Sequence, residues 1–406
     1  MKALRFPTRI VAHCILLCAC IEWSQSQAAP QSRAPQIGPS FQELALKAAS
    51  AREAGDLGKA AGLYRKALSL KPDWQEGLWY VGSLSYDRNQ YPQAVADLRR
   101  LTTLNSSLGA AWALLGLSEF ETHDFSGALR HLERARRLGL SDHRELANVS
   151  DYHLAILLNA RGRCDEGRAL LSNLFLSGVK SEDVQVALGL SLLRVPLLPQ
   201  QLDPSKDALI HSAGELAALI TQKKYDDADH AFQDLLKQYP NTPFAHYAYG
   251  AMLASQGRED ASEEQFRQET LLTPDSALAY TEWAFIELQA ERYDSALSLA
   301  RTAGRLAPHF FMPHYLLGTV FLVRGEIAAS VAQLETARRL APESVEVRYS
   351  LARAYAKAGK PELARREHAE FARLKSLEAA AARDNPPVRE MPIAGPTLAQ
   401  PAPSPQ

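Results

Sequence analysis

Cysteine is scarce in this chain, and its placement excludes a fold held by disulfides. The 406 residues include four cysteines, and three of them lie close to the N-terminus: Cys14, Cys18 and Cys20. Without that segment only Cys164 remains, and a single thiol cannot form an internal disulfide. The fold must therefore be held together by apolar packing.

An excess of either charge is also absent. The chain has 45 basic and 46 acidic residues, which gives a formal net charge of -1 at pH 7. A protein without a strong positive field does not attract nucleic acid through its overall charge. We therefore expect no nucleic-acid partner.

The apolar run near the N-terminus is too short to cross a membrane. It covers residues 10–21, whereas a membrane-spanning helix needs about 20 apolar residues. Basic residues precede this run, and small and polar residues follow it, which is the layout of a secretory signal peptide. We predict a signal peptide over 1–28, cleaved near Ala28, and no transmembrane segment. The mature protein is then exported, either to the periplasm or as a secreted protein.

A lipid anchor is the alternative for this segment. The sequence Leu17-Cys18-Ala19-Cys20 is a loose match to the lipobox of bacterial lipoproteins. Lipidation of Cys20 predicts a protein tethered to the envelope, with a role in envelope assembly or structure.

Signatures of catalysis are missing as well. No Gly-x-Ser-x-Gly or paired Cys and His arrangement indicates a nucleophile. Asp226, Asp227, Asp229 and His230 form an acidic cluster, but it lies where a helix is predicted to begin, and helix capping explains it. We therefore predict no catalytic residue, no cofactor and no metal site, and we expect a protein that is not an enzyme.

The sequence does contain a regular period. Four prolines follow one another at intervals of 34 residues: Pro240, Pro274, Pro308 and Pro342. A fixed period of this length is typical of a repeat array, in which one small unit is stacked many times.

Small residues keep the same period, at positions where two helices are expected to cross. One series is Ala60, Ala94 and Ala128, and another is Ala228, Ser262, Ala296, Ser330 and Ala364. Gly, Ala and Ser allow two helix axes to approach closely, to about 8–10 Å. Apolar residues between them recur at helical spacing, so we predict paired helices throughout. Gly55, Gly162, Gly257, Gly325 and Gly359 are predicted to end first helices in the left-handed conformation.

These positions resemble the tetratricopeptide repeat (TPR) family. The family's pattern is carried by Gly250 with Phe266 and Pro274, by Ala284 with Ala296 and Pro308, and by Gly318 with Ala337 and Pro342. The resemblance covers residues 41–140 and 209–375 best. The chain also resembles exported bacterial proteins that consist almost entirely of TPR units. It implies an all-α fold, a right-handed superhelical solenoid of antiparallel helix pairs, which we expect as about nine hairpins in two arrays.

The repeat pattern and the composition predict six segments. They are a signal peptide (1–28), a flexible lead (29–40), an N-terminal TPR array with degenerate last units (41–194), a Pro- and Leu-rich connection (195–208), a C-terminal TPR array with a capping helix (209–384) and a disordered Pro-rich tail (385–406). The connection is interpreted either as an ordered, partly buried segment or as a plain loop.

The resemblance also predicts a binding surface. In TPR proteins one face of each first helix lines a concave groove, and here the matching positions are apolar and aromatic. The predicted groove residues are Trp79, Tyr86, Tyr152, Phe244, Tyr247, Phe285, Leu288, Met312, Tyr315, Leu322, Tyr349 and Arg353. Such a surface suits a segment of a partner polypeptide. One alternative is that these residues are buried against the next repeat or against the central connection. Another is that the chain is an accessory subunit of an enzyme complex.

Overall fold

The computed structural model describes residues 39–140 and 143–384, and this part of the chain is helical without any β-strand. The predicted signal peptide, most of the lead and the Pro-rich tail lie outside the described residues. The chain divides into two compact units, Met1–Thr221 and Gln222–Gln406, called unit 1 and unit 2 below.

Unit 1 contains ten described α-helices. They are α1 (Phe41–Glu53), α2 (Leu57–Leu70), α3 (Gln75–Asp87), α4 (Tyr91–Leu104), α5 (Gly109–Glu121), α6 (Phe125–Leu138), α7 (Arg144–Ala160), α8 (Cys164–Leu176), α9 (Glu182–Leu192) and α10 (Asp207–Thr221). Two short 3₁₀ turns, Pro199–Gln201 and Pro204–Lys206, lie between α9 and α10.

Unit 2 contains nine described α-helices. They are α11 (Tyr225–Gln238), α12 (Ala245–Ser255), α13 (Glu259–Leu272), α14 (Ala277–Gln289), α15 (Tyr293–Leu306), α16 (Phe311–Val323), α17 (Ile327–Leu340), α18 (Val345–Lys357) and α19 (Pro361–Asp384).

Consecutive helices form antiparallel pairs within each unit. In unit 1 the pairs are α1 with α2, α3 with α4, α5 with α6, α7 with α8, and α9 with α10; in unit 2 they are α12 with α13, α14 with α15, α16 with α17, and α18 with α19. The first helices of successive pairs also contact one another, for example α3 with α5 and α14 with α16. The predicted all-α class of paired helices is confirmed.

The turns and crossings follow the chemistry predicted from the sequence. All five glycines predicted to end first helices have positive φ, between 68° for Gly359 and 79° for Gly325. At the crossings, a Cβ built on Gly82 would lie 2.7 Å from Leu98 Cγ, and one on Gly318 would lie 2.5 Å from Leu334 Cγ. These glycines are needed because the facing leucines occupy the space of a side chain.

Segment 195–208 lies inside unit 1, where it joins the two helices of a pair. The division of the chain falls further on, after Thr221, because α9 and α10 pack tightly together. Asn159 Nδ2 donates a hydrogen bond to the carbonyl oxygen of Val195 at 2.8 Å, and Leu198 is buried. An ion pair of 2.9 Å joins Arg194 to Asp165 at the start of the segment. The connection is therefore ordered and partly buried rather than a plain loop.

Candidate functional site

The predicted groove residues lie on, or directly before, the first helices of the pairs. Unit 1 holds Trp79 and Tyr86 on α3 and Tyr152 on α7. Unit 2 holds Phe244 and Tyr247 at α12, Phe285 and Leu288 on α14, Met312, Tyr315 and Leu322 on α16, and Tyr349 and Arg353 on α18.

Five of these twelve side chains are buried. Tyr315 and Leu322 are each 1% exposed, Tyr152 is 2% exposed, Tyr247 6% and Phe285 7%. Phe285, Tyr315 and Leu322 belong to one apolar cluster that extends over α14 to α19. These five residues are therefore packed between repeats and do not line an open groove. They form a layer beneath the surface, and replacing them would test the core.

The other predicted residues remain at the surface. In unit 2 Phe244, Leu288, Met312 and Tyr349 are partly buried, and Arg353 is exposed. We call these five residues the apolar face of unit 2. Leu288 and Met312 pack onto the cluster that contains Tyr315, so the buried layer fixes their positions.

Tyr349 and Arg353 form the end of this face on α18. The Tyr349 ring lies 5.5 Å from the Phe371 ring, measured between centroids, so α19 supports it from one side. Arg353 Cζ lies 5.8 Å from the centroid of the Tyr349 ring. This distance is within the range of a cation–π interaction. Arg353 makes no ion pair with any described residue, so its guanidinium remains available to an acidic group.

Phe244 is held in an unusual backbone conformation by a buried carboxylate. Its φ is 63°, in the left-handed region that residues with a side chain rarely adopt. Glu269 Oε1 accepts the Phe244 N–H at 2.9 Å, and Glu269 Oε2 accepts the Tyr247 N–H at 3.2 Å. The fully buried Glu269 thus caps the N-terminus of α12 from the neighbouring helix α13. The sequence pattern gave no sign of this long-range cap.

Unit 1 carries a second surface, at the turns that join the helices of two successive pairs. The Tyr86 and Tyr91 rings lie 5.7 Å apart, and the Phe120 and Phe125 rings lie 5.3 Å apart, both edge to face. Asp87 and Glu121 directly follow the first aromatic residue of each pair. We call these six residues the turn edge of unit 1; Phe120 is buried, and the other five are partly or fully exposed.

The members of the turn edge are repeated with the period of the array. Tyr86 and Phe120, Asp87 and Glu121, and Tyr91 and Phe125 are each separated by 34 residues. Our sequence reasoning included only Tyr86. The signal that identifies the rest is the recurrence of an aromatic–acidic dipeptide at the repeat period.

Electrostatics distinguish Asp87 from the other carboxylates of unit 1. Burial raises the pKa of Asp87 to about 7, because a desolvated carboxylate is less stable in its charged form. Burial also raises the pKa of Tyr86, and the neighbouring Tyr91, Glu121 and Asp87 add to this effect. Asp87 and Glu121 therefore both act on the hydroxyl of Tyr86.

The acidic cluster at the start of α11 is engaged in packing contacts. Asp229 Oδ1 accepts hydrogen bonds from Tyr249 Oη and from Arg258 Nη1, both at 2.8 Å. His230 Nδ1 lies 2.9 Å from the carbonyl oxygen of Asp226, on the same helix. Within residues 39–140 and 143–384, no three His, Cys, Asp or Glu side chains are grouped as metal ligands.

The paired helices, their 34-residue period and the surfaces on their first helices define a helical repeat protein. A family model described as tetratricopeptide repeat matches residues 82–143, 218–277 and 315–386. The chain belongs to the tetratricopeptide repeat family, as predicted.

One relative and two solved structures extend the comparison. The chain is 29% identical over 173 residues to the protein O-mannosyl-transferase Tmtc1 of Drosophila melanogaster, a match that covers 40% of this chain and 19% of the relative. The chain therefore spans about a fifth of that relative. A MamA structure from Desulfovibrio magneticus RS-1 is 18% identical, with a TM-score of 0.39, and the match covers 42% of this chain and 96% of MamA. Yeast Tom70 is 13% identical, with a TM-score of 0.32, and the match covers 87% of this chain and 97% of Tom70.

The described helices are all unsuited to crossing a lipid bilayer. Among residues 39–140 and 143–384, no helix combines sufficient length with sufficient apolar character.

Proposed function

We propose that this chain is a non-catalytic scaffold that holds a segment of a partner polypeptide on the apolar face of unit 2. The repeats support the general role of a protein-interaction scaffold. The choice of the apolar face as the binding surface rests on one arrangement. Partly exposed apolar side chains lie there on a layer of buried apolar side chains.

The observation that carries the proposal is the contrast between Met312 and Tyr315 on α16. Tyr315 is buried and fixes the surface, whereas Met312 packs on the same cluster and keeps part of its side chain in solvent. A partner side chain laid over Met312 therefore buries apolar area without any rearrangement of the scaffold. Full burial of a side chain such as Leu or Met contributes about 1.5–3 kcal/mol.

Arg353 adds a charge requirement at one end of the face. An exposed guanidinium beside an aromatic ring suits a carboxylate of the partner, because Arg binds carboxylates through two parallel hydrogen bonds. We therefore propose that the bound segment is apolar with an acidic residue near α18.

The test compares two double replacements in the protein isolated from its own cells. Met312→Ser with Tyr349→Ser removes apolar area from the face, and Leu271→Ser with Leu306→Ser removes similar area from second helices, where these leucines are 67% and 40% exposed. The first variant should recover about tenfold less of the co-purifying polypeptide, since tenfold corresponds to about 1.4 kcal/mol. Circular dichroism should remain unchanged in both. Equal recovery from the two variants would contradict the proposal.

We also propose that the protein acts outside the cytoplasm, because residues 1–28 have the layout of a signal peptide. Mass spectrometry of the mature N-terminus tests this separately. A chain that begins at Ala29 supports cleavage near Ala28, a diacylated Cys20 supports the lipid-anchored alternative, and an intact N-terminus contradicts export by this route.

A further inference from the structure

The carboxylate of Asp87 is half-buried and has no partner among the described residues. It makes no hydrogen bond or ion pair with any described residue, and burial is the cause of its altered titration. Glu121 likewise makes no hydrogen bond or ion pair in the described part of the chain, although the nearby His123 favours its charged form.

Glu119 provides the contrast, because it lies in the same unit only two positions before Glu121. Glu119 is 1% exposed and is fully paired, with Arg99 Nη2 at 2.8 Å and His131 Nδ1 at 2.6 Å. A carboxylate that stabilises the fold is paired in this way, since an unpaired desolvated charge is costly. A role in stabilising the fold therefore does not explain why a carboxylate is half-buried at position 87.

The aromatic rings beside these carboxylates are arranged for a cation. Tyr86 and Tyr91, both partly exposed, present one ring pair, and Glu121 acts on the hydroxyls of both. In the equivalent pair one repeat further on, Phe120 is buried against His153 and only Phe125 is partly exposed. An aromatic ring attracts a cation through its electron-rich face, and a nearby carboxylate adds a charge-assisted hydrogen bond. Tyr91 Oη donates to Asn89 Oδ1 at 2.8 Å, which fixes the position of its ring.

We infer that the turn edge of unit 1 binds a cationic side chain, lysine or arginine, of a partner polypeptide. Above about pH 7, where Asp87 is charged, Asp87 and Glu121 together favour a positive occupant, and the Tyr86–Tyr91 pair favours an organic cation over a hydrated metal ion. This inference rests on the proposed function, because it assumes that the occupant is a polypeptide.

The test uses the full chain and a synthetic peptide labelled with a fluorophore, Ser-Gly-Lys-Ser-Gly-Lys-Ser, with its ends blocked. Its counterparts carry Gln or Glu at both Lys positions. Fluorescence anisotropy is measured at about pH 8, where Asp87 is charged, and at about 150 mM NaCl, where weak long-range attraction is screened. We expect the Lys peptide to bind at least about fivefold more tightly than the Gln peptide, and the Glu peptide to bind most weakly.

Two charge-matched variants assign this preference to the site. Asp87→Asn with Glu121→Gln should abolish it, whereas Glu76→Gln with Glu145→Gln removes the same net charge from the first turns of α3 and α7 and should preserve it. If both variants lost the preference for the Lys peptide equally, net charge alone would explain the preference, and the inference would be overturned. Competition by millimolar CaCl₂ that depends on Asp87 would also overturn it, because the edge would then be a divalent-cation site.

Failure here is distinguishable from failure of the proposed function. If the Lys peptide shows no preference while Met312→Ser with Tyr349→Ser still loses its polypeptide, only the turn-edge inference is wrong. If the peptide preference holds and the unit 2 variant recovers its polypeptide in full, the proposed face is wrong.

Discussion

Gly189 of α9 and Gly214 of α10 bring the backbones of their two helices into direct contact. A Cβ built on Gly189 would lie 2.9 Å from the backbone nitrogen of Gly214 and 2.2 Å from the carbonyl oxygen of Ile210. A Cβ built on Gly214 would lie 2.2 Å from the carbonyl oxygen of Gln185. This close crossing explains why the connection 195–208 joins a helix pair.

Gly189→Ala is expected to destabilise unit 1, because backbone atoms cannot move aside for the added methyl group as a flexible side chain would. We expect a loss of about 1–3 kcal/mol in the free energy of unfolding, the usual cost of overpacking. Urea denaturation followed by circular dichroism measures it. Gly62→Ala on α2 is the control, since nothing lies within 4 Å of its added Cβ. This control should gain about 0.5–1 kcal/mol, because Ala favours the helix; an equal loss in both variants would contradict the crossing.

Asn159→Asp is expected to release the connection 195–208. The replacement keeps the shape of the side chain but removes the Nδ2–H that binds the Val195 carbonyl oxygen. Loss of a buried donor costs about 1–3 kcal/mol, and the new carboxylate is also repelled by the carbonyl oxygens of Val195 and Leu197. Hydrogen exchange and protease cleavage within 195–206 should accelerate, whereas Asn173→Asp, at an exposed position of α8, should leave both unchanged. Unaltered exchange in Asn159→Asp would show that the connection is held by other contacts.

Glu269→Gln is expected to weaken the N-terminal cap of α12. The amide retains one acceptor oxygen, so either the Phe244 N–H or the Tyr247 N–H loses its partner. We expect unit 2 to lose about 1–3 kcal/mol. Glu264→Gln on the same helix serves as the control, because Glu264 is half exposed and pairs only with neighbours on α13. A matching loss in Glu264→Gln would indicate a general effect of charge on α13.

Asp87→Asn is expected to stabilise the protein above neutral pH. The folded-state pKa of Asp87 is raised to about 7 from an ordinary value of 3.8, so the folded state retains a proton that the unfolded state releases between these values. The wild-type protein therefore loses stability through Asp87 as the pH rises from about 4 to about 7, and the variant lacks this loss. The difference in Tm between variant and wild type should be small at pH 4 and reach its full size above pH 7. A variant less stable than the wild type at about pH 8 would indicate a structural partner for Asp87.

The repeat architecture was predictable from sequence because its causes are local and periodic. Pro308 ends a helix, Gly325 turns the chain and Ser330 allows a crossing, and each of these tasks recurs with the period of the array. The crossing of Gly189 and Gly214 was not predictable, because it depends on a long connection whose length departs from the period.

The candidate surface was predictable only in part. Helical spacing placed Met312 and Tyr315 on one face. The burial of each side chain, however, depends on how the next repeat packs against it, which the sequence of a single repeat does not reveal. Met312 remains at the surface for this reason, whereas Tyr315 is buried. The unpaired state of Asp87 was also invisible in the sequence, since it depends on the absence of a cation from neighbouring helices.

Photo-crosslinking from position 312 tests the central claim most directly. A photoreactive amino acid placed at Met312 in the protein's own cells should form an adduct with a discrete polypeptide, and the same amino acid at Leu271, on the second helix α13, should not. Weaker crosslinking from position 312 than from position 271, or the same products from both, would contradict binding on the apolar face of unit 2.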